Sequence, residues 1–288
     1  MVGADADVII VGAGPGGAAA GYWLARSGHR AIILEKSRFP RDKVCGDGLT
    51  PGAVRELINM GVPMDPADGW MRNKGLRVIG GGHEIHLPWP DSSTLPNYGM
   101  AKARMSLDEA LARHAEAAGA ELREGSTVTG PIMDERSGRI VGVTVRPSNP
   151  DGSRGTPYEL RAPVVIDAGG VAARIATAVG IEKDENRPMG VAVRTYFKSP
   201  RHDDEWMESQ LELWDGPKEA SNLLPGYGWI FALGDGTVNV GLGSVSSTAK
   251  ATKLERHAQA WSASAAPERG GRACAAGVPK VATATCWK

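Results

Sequence analysis

The sequence has few cysteines and no excess of either charge. Three cysteines in 288 residues do not make a disulfide framework, and no Cys or His spacing indicates a zinc site. Lys and Arg together number 33, as do Asp and Glu, so the chain lacks the basic surface of a general nucleic-acid binder. We therefore expect an intracellular protein with no bound metal and no nucleic-acid partner.

Long apolar runs are also lacking. No stretch approaches the ~20 apolar residues of a membrane span, and the first residues indicate a strand, not a signal peptide. The length is sufficient for about two domains, at a prior of ~150 residues each. The 38 glycines indicate many tight turns.

A strand, a helix and a second strand open the chain. Residues 7–11 and 31–34 are short apolar runs typical of strands buried on both faces of a parallel sheet. Between them, residues 18–27 indicate a helix that is closed by Gly28. This order within about 30 residues predicts a βαβ unit.

The remaining pattern predicts an α/β (α+β) fold in which a Rossmann-like domain with a parallel sheet is interrupted by a β-rich domain. Residues 106–109 (SLDE) form a capping-box pattern before a helix, residues 163–168 indicate another buried strand, and 171–179 another helix. We place the dinucleotide-binding domain at 1–75 and 101–187 and the β-rich substrate domain at 76–100 and 188–247. The Ala/Arg-rich tail, 248–288, is expected to be disordered.

The strongest motif is Gly12-x-Gly14-x-x-Gly17, because it follows a predicted strand and precedes a predicted helix. In this context the glycines permit a tight turn, close backbone approach to a pyrophosphate and helix–sheet packing. Glu35 ends the second strand, where a carboxylate accepts hydrogen bonds from ribose hydroxyls. The motif therefore predicts dinucleotide binding.

A second glycine turn at Gly169-Gly170 follows a predicted buried strand and favours a flavoprotein that wraps one extended cofactor. Arg104 is either a cation for the flavin side or a solvated arginine at a helix start. His83 and His86 do not indicate a metal site, since residues three apart on a strand face opposite ways.

Three segments together resemble the geranylgeranyl reductase family, flavoproteins of the para-hydroxybenzoate-hydroxylase superfamily. They are residues 12–35, the PxxKxCGxG pattern within residues 39–48, and the YxWxF pattern of Tyr227, Trp229 and Phe231 followed by Gly241-x-Gly243. The resemblance covers residues 5 to about 246 and is strongest to actinobacterial members that act on menaquinone. It implies a para-hydroxybenzoate-hydroxylase-like fold with FAD as cofactor. It also implies a polyprenyl lipid or menaquinone as substrate.

The resemblance also assigns roles to residues. Cys45 with Gly46 is similar to the family's active-site segment near the flavin, and Tyr227, Trp229 and Phe231 would form an apolar wall for a prenyl chain, although they also suit a core. A polyprenyl substrate implies peripheral contact with the inner face of the membrane, and the electron donor is external, either NADPH or a redox protein. The expected FAD-binding residues are Gly12, Gly14, Pro15, Gly16, Gly17, Glu35, Lys36, Lys43, Arg104, Val128, Asp167, Gly169 and Gly170.

The chain departs from the family pattern in three places. Ala168-Gly169-Gly170 stands where the family has Ala-Asp-Gly, and Ala232 stands where the family has Pro. The family's later Gly-Asp segment is not found, and the composition of residues 249–288 suggests a changed reading frame or a divergent terminus. Three functions therefore stay open: a prenyl reductase, an FAD-dependent aromatic or polyketide monooxygenase, and a non-catalytic remnant that binds FAD weakly.

Overall fold

A computed structural model describes residues 3–181, 189–214, 217 and 220–246. The chain divides into two compact units. The first contains Met1–Asp42 and Met105–Asp184, and the second contains Lys43–Arg104 and Glu185–Lys288.

Short strands predominate over helices in the described residues. The helices are α1 Pro15–Arg26, α2 Pro51–Met60, α3 Arg104–Ala117 and α4 Arg174–Ala178, with 3-10 turns at Pro66–Asp68 and Gly170–Ala172. In chain order the strands are β1 Val8–Val11, β2 Ala31–Leu34, β3 Gly48–Leu49, β4 Met71–Asn73, β5 Gly75–Gly80, β6 His83–Pro88, β7 Gly99–Ala101, β8 Glu121–Arg123, β9 Ser126–Met133, β10 Ile140–Pro147, β11 Tyr158–Arg161, β12 Val164–Asp167, β13 Met189–Lys198, β14 Trp206–Gln210, β15 Leu213–Trp214, β16 Leu223–Leu224, β17 Gly226–Ala232 and β18 Thr237–Ser246.

The first unit is built on a parallel sheet. Its order within the described residues is β12-β1-β2-β8, and every pairing in it is parallel. Because α1 connects β1 to β2, the βαβ unit expected from the sequence is present. The carboxyl ends of β1, β2 and β12 lie at one edge, where ligands bind in open α/β sheets.

Each face of this sheet is covered by a different layer. One face packs Ile10 and Ile33 against α1 and α3, and the other packs Ile9 and Leu34 against the antiparallel sheet β11-β10-β9. Close packing of α1 depends on Gly21, since a Cβ there would collide with the Ile33 side chain. Successive residues of each strand point to opposite faces of the sheet, and both faces are covered. This explains why these strands are continuous apolar runs.

The second unit contains a six-stranded sheet, among its described residues, in the order β13-β18-β17-β14-β5-β6. All of its pairings are antiparallel except β14 with β5. A smaller sheet, β3-β7-β4, places β7 between the other two strands. The segment from β3 to β7 thus folds with the second unit.

Three features differ from the sequence expectations. The structure groups residues 43–75 with the second unit, whereas the sequence division put them in the first, because β3 and β4 both pair with β7. The capping box was wrong: α3 begins at Arg104, so Ser106 lies inside the first turn. Residues 171–179 form a 3-10 turn and the five-residue α4 instead of one helix.

Two other expectations concern the tail and the membrane. The expected tail at 248–288 lies outside the described residues. In the described part of the chain, no helix combines the length and the apolar character needed to cross a membrane.

Candidate functional site

The glycine-rich turn after β1 leaves the start of α1 open. Gly12 has φ 104°, and a Cβ there would lie 2.6 Å from the Ala168 carbonyl oxygen. Gly14 is the N-cap of α1, no side chain caps the helix, and added Cβ atoms at Gly14 or Gly16 would meet nothing within 4 Å. First-turn N–H groups with free space before them form an anion site.

Pro15 and Gly17 complete this turn in different ways. Pro15 occupies the first helical position, where a missing N–H costs nothing. Gly17 permits the helix to approach the strand, since a Cβ there would collide with the Gly12 carbonyl. The turn therefore fits the pyrophosphate of a dinucleotide, and Gly12, Gly14, Gly16 and Gly17 each contribute to that fit.

Glu35 lies at the end of β2 and is almost fully buried, with 4% of its surface exposed. Its Oε2 accepts hydrogen bonds from the Ala13 N–H and the Arg41 guanidinium, both at 3.1 Å, and its Oε1 accepts from the Ser37 N–H at 3.0 Å. A carboxylate has about four acceptor positions, so these bonds leave room for about one more. Glu35 is thus held in place, and about one acceptor position of its carboxylate is left over. The neighbouring Lys36 is exposed.

The second glycine turn lies beside the first, because β12 pairs with β1 and the Ala168 N–H donates to the Val11 carbonyl at 2.8 Å. Asp167 folds back on its own turn: its carboxylate accepts from the N–H groups of Gly169 and Ala176, each at 3.1 Å. Gly170 has φ 65°, which favours glycine.

Val128 is expected from the sequence to contact FAD. In the structure its side chain belongs to the buried cluster between the two sheets of the first unit, and the residue is 6% exposed. A contact with a cofactor from this position would involve its backbone.

The segment of residues 43–48, which we name the cysteine loop, lies in the second unit. Its Cys45 is a half-buried free thiol. An added Cβ at Gly46 would lie 3.9 Å from the Phe231 ring, and one at Gly48 would lie 3.2 Å from the same ring and would collide with the Met207 side chain. The loop therefore passes close over β14 and β17, and a side chain at Gly48 would have to displace the Met207 side chain and press on the Phe231 ring.

Tyr227, Trp229 and Phe231 form a continuous aromatic row on β17. The ring centroids of Tyr227 and Trp229 lie 5.8 Å apart, and those of Trp229 and Phe231 lie 6.3 Å apart. Trp229 is buried and the two outer rings are half-buried. Burial, and then the nearby Cys45, raises the pKa of Tyr227. The close approach of Gly46 and Gly48 to the Phe231 ring places the cysteine loop beside this row.

A buried polar group supports the cysteine loop. Asp47 has no exposed surface, and its carboxylate accepts from the side chain of Asn239 and, at 3.0 Å, from the N–H of Arg104. Asn239 also accepts from the indole N–H of Trp229 at 2.8 Å. Burial raises the pKa of Asp47 above its usual value, although Asn239, Arg194 and two further contacts oppose the rise less strongly.

Two residues expected to bind the cofactor, Lys43 and Arg104, lie in or beside the cysteine loop. The carbonyl of Lys43 accepts from the Arg194 guanidinium at 2.9 Å. Arg104 is buried, with 6% of its surface exposed, so it is not a solvated arginine.

Sequence reasoning missed three residues that support Glu35 in the first unit or the cysteine loop in the second. Arg41 pairs with Glu35, and Asp47 pairs with Asn239; Arg41 and Asp47 both lie inside the segment 39–48 that carried the resemblance. Asn239 lies opposite Phe231 on the neighbouring strand, so only the pairing of β17 with β18 could have identified it from the sequence.

His86 accepts a hydrogen bond from the Arg77 side chain at 3.1 Å. The described residues contain no group of three or more His, Cys, Asp or Glu that could hold a metal ion.

Residues 5–230 match the protein family described as FAD binding domain. The chain belongs to this family. FAD is therefore the cofactor, and the open turn before α1 fits its pyrophosphate. The fold is of the Rossmann-like, para-hydroxybenzoate-hydroxylase type that the sequence predicted.

Two curated proteins and one solved structure resemble the chain. Menaquinone reductase of Mycobacterium tuberculosis H37Rv is 40% identical over 250 residues, which are 87% of this chain and 58% of that protein. Digeranylgeranylglycerophospholipid reductase 2 of Methanopyrus kandleri is 30% identical over 82% of this chain and 54% of that protein. A geranylgeranyl bacteriochlorophyll reductase-like protein of Thermoplasma acidophilum has a TM-score of 0.72 at 24% identity, over 89% of this chain and 61% of that one. The chain thus spans little more than half the length of the curated relatives it matches.

Proposed function

We propose that the protein is an FAD-dependent oxidoreductase that saturates an isoprene double bond of a polyprenyl lipid, either a menaquinone side chain or a geranylgeranyl group. The observation that carries the proposal is the 40% identity to a protein named menaquinone reductase. The half-buried thiol of Cys45 beside the aromatic row supports it, because an apolar wall next to a proton donor suits reduction of an alkene.

The first unit binds the nucleotide end of the cofactor in this proposal. The N–H groups at the start of α1 donate to the pyrophosphate, and Glu35 accepts from the ribose. Reduced FAD supplies the hydride when it is bound. Arg41 holds the Glu35 carboxylate in place and keeps a positive charge beside it.

The second unit binds and orients the substrate. The half-buried Tyr227 and Phe231 present their rings to a flexible prenyl chain, and the buried Trp229 between them completes the apolar wall that excludes water. Cys45 holds a proton at Sγ for delivery to the alkene carbon, which is needed because an isolated alkene is not polarised for hydride attack. The lipid substrate brings the protein into contact with a membrane surface, and the electron donor is NADPH or a redox protein.

The test begins with FAD binding by the full chain, quantified as flavin released on denaturation per protein. The loaded protein is then reduced anaerobically and incubated with menaquinone, and the product is analysed by mass spectrometry. The proposal requires a product that has gained two hydrogen atoms in its side chain. Cys45→Ser should lower the rate of this reaction without loss of flavin.

The other two functions give different results in the same experiment. A monooxygenase requires O₂ with NAD(P)H and gives a product that has gained one oxygen atom. A folded chain that retains no flavin would identify a non-catalytic remnant. Because fold alone does not fix the reaction, product identity decides among the three.

A further inference from the structure

The cysteine loop and the aromatic row are joined by one continuous set of buried hydrogen bonds. The Trp229 indole N–H donates to Asn239 Oδ1, Asn239 Nδ2 donates to Asp47 Oδ2, and Asp47 Oδ1 accepts from the N–H of Arg104. The Lys102 N–H donates to the Asp47 carbonyl at 3.0 Å, so the backbone of Asp47 is also held. Every bond lies within the second unit.

The strand register places this set on the same face of the sheet as the aromatic row. On β18, Asn239 lies opposite Phe231 and Gly241 lies opposite Trp229. A Cβ at Gly241 would collide with the Trp229 ring, so the indole lies flat across β18 and its N–H reaches Asn239. Both bonds of the Asn239 amide fix its orientation, because its oxygen can only accept and its nitrogen can only donate.

We propose that Asp47 and Asn239 are positioning residues that fix the Cys45 thiol relative to the aromatic row. Cys45 lies two residues before Asp47, and Trp229 is the centre of the row. A bond from the loop to Asn239 and a bond from Asn239 to Trp229 therefore set the separation between the proton donor and the substrate wall. This inference rests on the proposed function for its consequence, whereas the coupling itself is a property of the protein without cofactor or substrate.

The chain contains a matched control for Asn239. Asn73 is also buried, at 4% exposed against 0% for Asn239, and it also accepts an indole N–H, from Trp89 at 2.7 Å. Of the two, Asn239 is the one bonded to Asp47 in the cysteine loop. Asn239→Ala and Asn73→Ala thus remove the same side chain and the same kind of indole bond, and they differ in the bond to Asp47.

The experiment measures the rate at which iodoacetamide alkylates Cys45 in the full chain without added flavin, with the peptide that contains Cys45 quantified by mass spectrometry. Loss of a hydrogen bond to a charged group releases the loop, so Asn239→Ala should alkylate about tenfold faster than wild type. Asn73→Ala should stay within about twofold of wild type, because the hydrogen bond it removes is to Trp89 and not to the cysteine loop. Equal Cys45 rates in the two folded variants would overturn the proposal.

Two further measurements keep the test decisive if Asn239→Ala does not fold. Asp47→Asn, which keeps the size of the side chain, should also increase alkylation, since its amide cannot accept from both donors. In the wild-type protein, hydrogen exchange of residues 43–48 should be as slow as that of β17, and fast exchange in the loop would contradict the coupling. Absence of reductase activity with a normal alkylation pattern would count against the proposed function and leave the coupling intact.

Discussion

The guanidinium of Arg41 joins Glu35 to a second buried carboxylate in the first unit. Arg41 lies 3.1 Å from Glu35 Oε2 and 2.9 Å from Asp108 Oδ2, and its side chain is only 13% exposed. Asp108 belongs to α3 and has no exposed surface. Glu35, which is expected to contact the ribose, is therefore linked through Arg41 to α3, a helix that starts at Arg104.

Replacement of Arg41 leaves two buried carboxylates without their shared cation. We expect Arg41→Met to lower the free energy of unfolding by about 3–5 kcal/mol, as for a broken buried ion pair. The measurement is urea denaturation of the protein without cofactor. The control is Arg30→Met, whose pair with Asp7 is exposed and should contribute about 0–1 kcal/mol. Equal effects of the two substitutions would show that the carboxylates find other compensation.

Substitutions at two glycines of the turn after β1 should affect cofactor binding and stability separately. Gly14 has φ −72° and open space beside it, so Gly14→Ala should change the free energy of unfolding by less than about 1 kcal/mol. Its Cβ occupies the approach to the helix N-terminus, and FAD should bind about tenfold more weakly as a backbone bond to phosphate is lost. Titration of flavin fluorescence measures this change.

Gly17→Ala is the contrasting variant. Its Cβ would collide with the Gly12 carbonyl, so we expect a loss of about 1–3 kcal/mol of stability before any ligand is added. If Gly14→Ala instead lost stability and kept its FAD affinity, the open space before α1 would not be the pyrophosphate site.

Much of the first unit could be predicted from the sequence because its signals are local. The runs that form β1 and β2 are apolar because both faces of their sheet are covered, and Gly12 is required by its positive φ. The sequence pattern puts the start of α1 three residues late, at Ala18 instead of Pro15, because Pro and Gly suppress a helical pattern. The strands β3, β4 and β7, of two or three residues each, are too short to show a period.

The supports of Glu35 in the first unit and of the cysteine loop in the second could be predicted less well, since each depends on a pair of residues that are distant in sequence. Arg41 and Asp108 are 67 positions apart, and Asp47 and Asn239 are 192 positions apart. No spacing rule connects such residues, because the fold alone brings them together. The alternation of Tyr227, Trp229 and Phe231 is local, and this row could therefore be identified as one face of a strand.

Asp47 should make folding less favourable as the pH rises above 3.8 through its raised pKa. Burial raises its pKa in the folded protein above the unfolded value of 3.8, so between these two values the folded state holds more protons than the unfolded state. Stability from this residue is then complete below pH 3.8 and is lost as the pH rises through the raised pKa. Urea denaturation of wild type and Asp47→Asn at several pH values isolates this contribution, as the variant lacks it. A difference that did not vary with pH would show that Asp47 stays ionised in both states.

Asp204 should show the opposite dependence. Burial opposes its ionisation, but hydrogen bonds from Arg77 at 2.6 Å and Arg201 at 2.9 Å lower its pKa overall below 3.8. The unfolded state then binds its proton first, so the stabilisation by Asp204 is present above pH 3.8 and is lost as the pH falls through the lowered value. Asp204→Asn should therefore reduce stability at neutral pH and flatten the acid loss.

The comparison for Asp204 is Glu205→Gln, which removes an exposed pair with Lys74 one residue along the chain. An exposed pair contributes little, so this substitution should leave the acid loss unchanged. Measured together by urea denaturation, Asp47→Asn and Asp204→Asn should change the pH dependence in opposite directions. If both substitutions changed the pH dependence of stability in the same direction, the pKa values of Asp47 and Asp204 would not be shifted in opposite directions, and the prediction would be wrong.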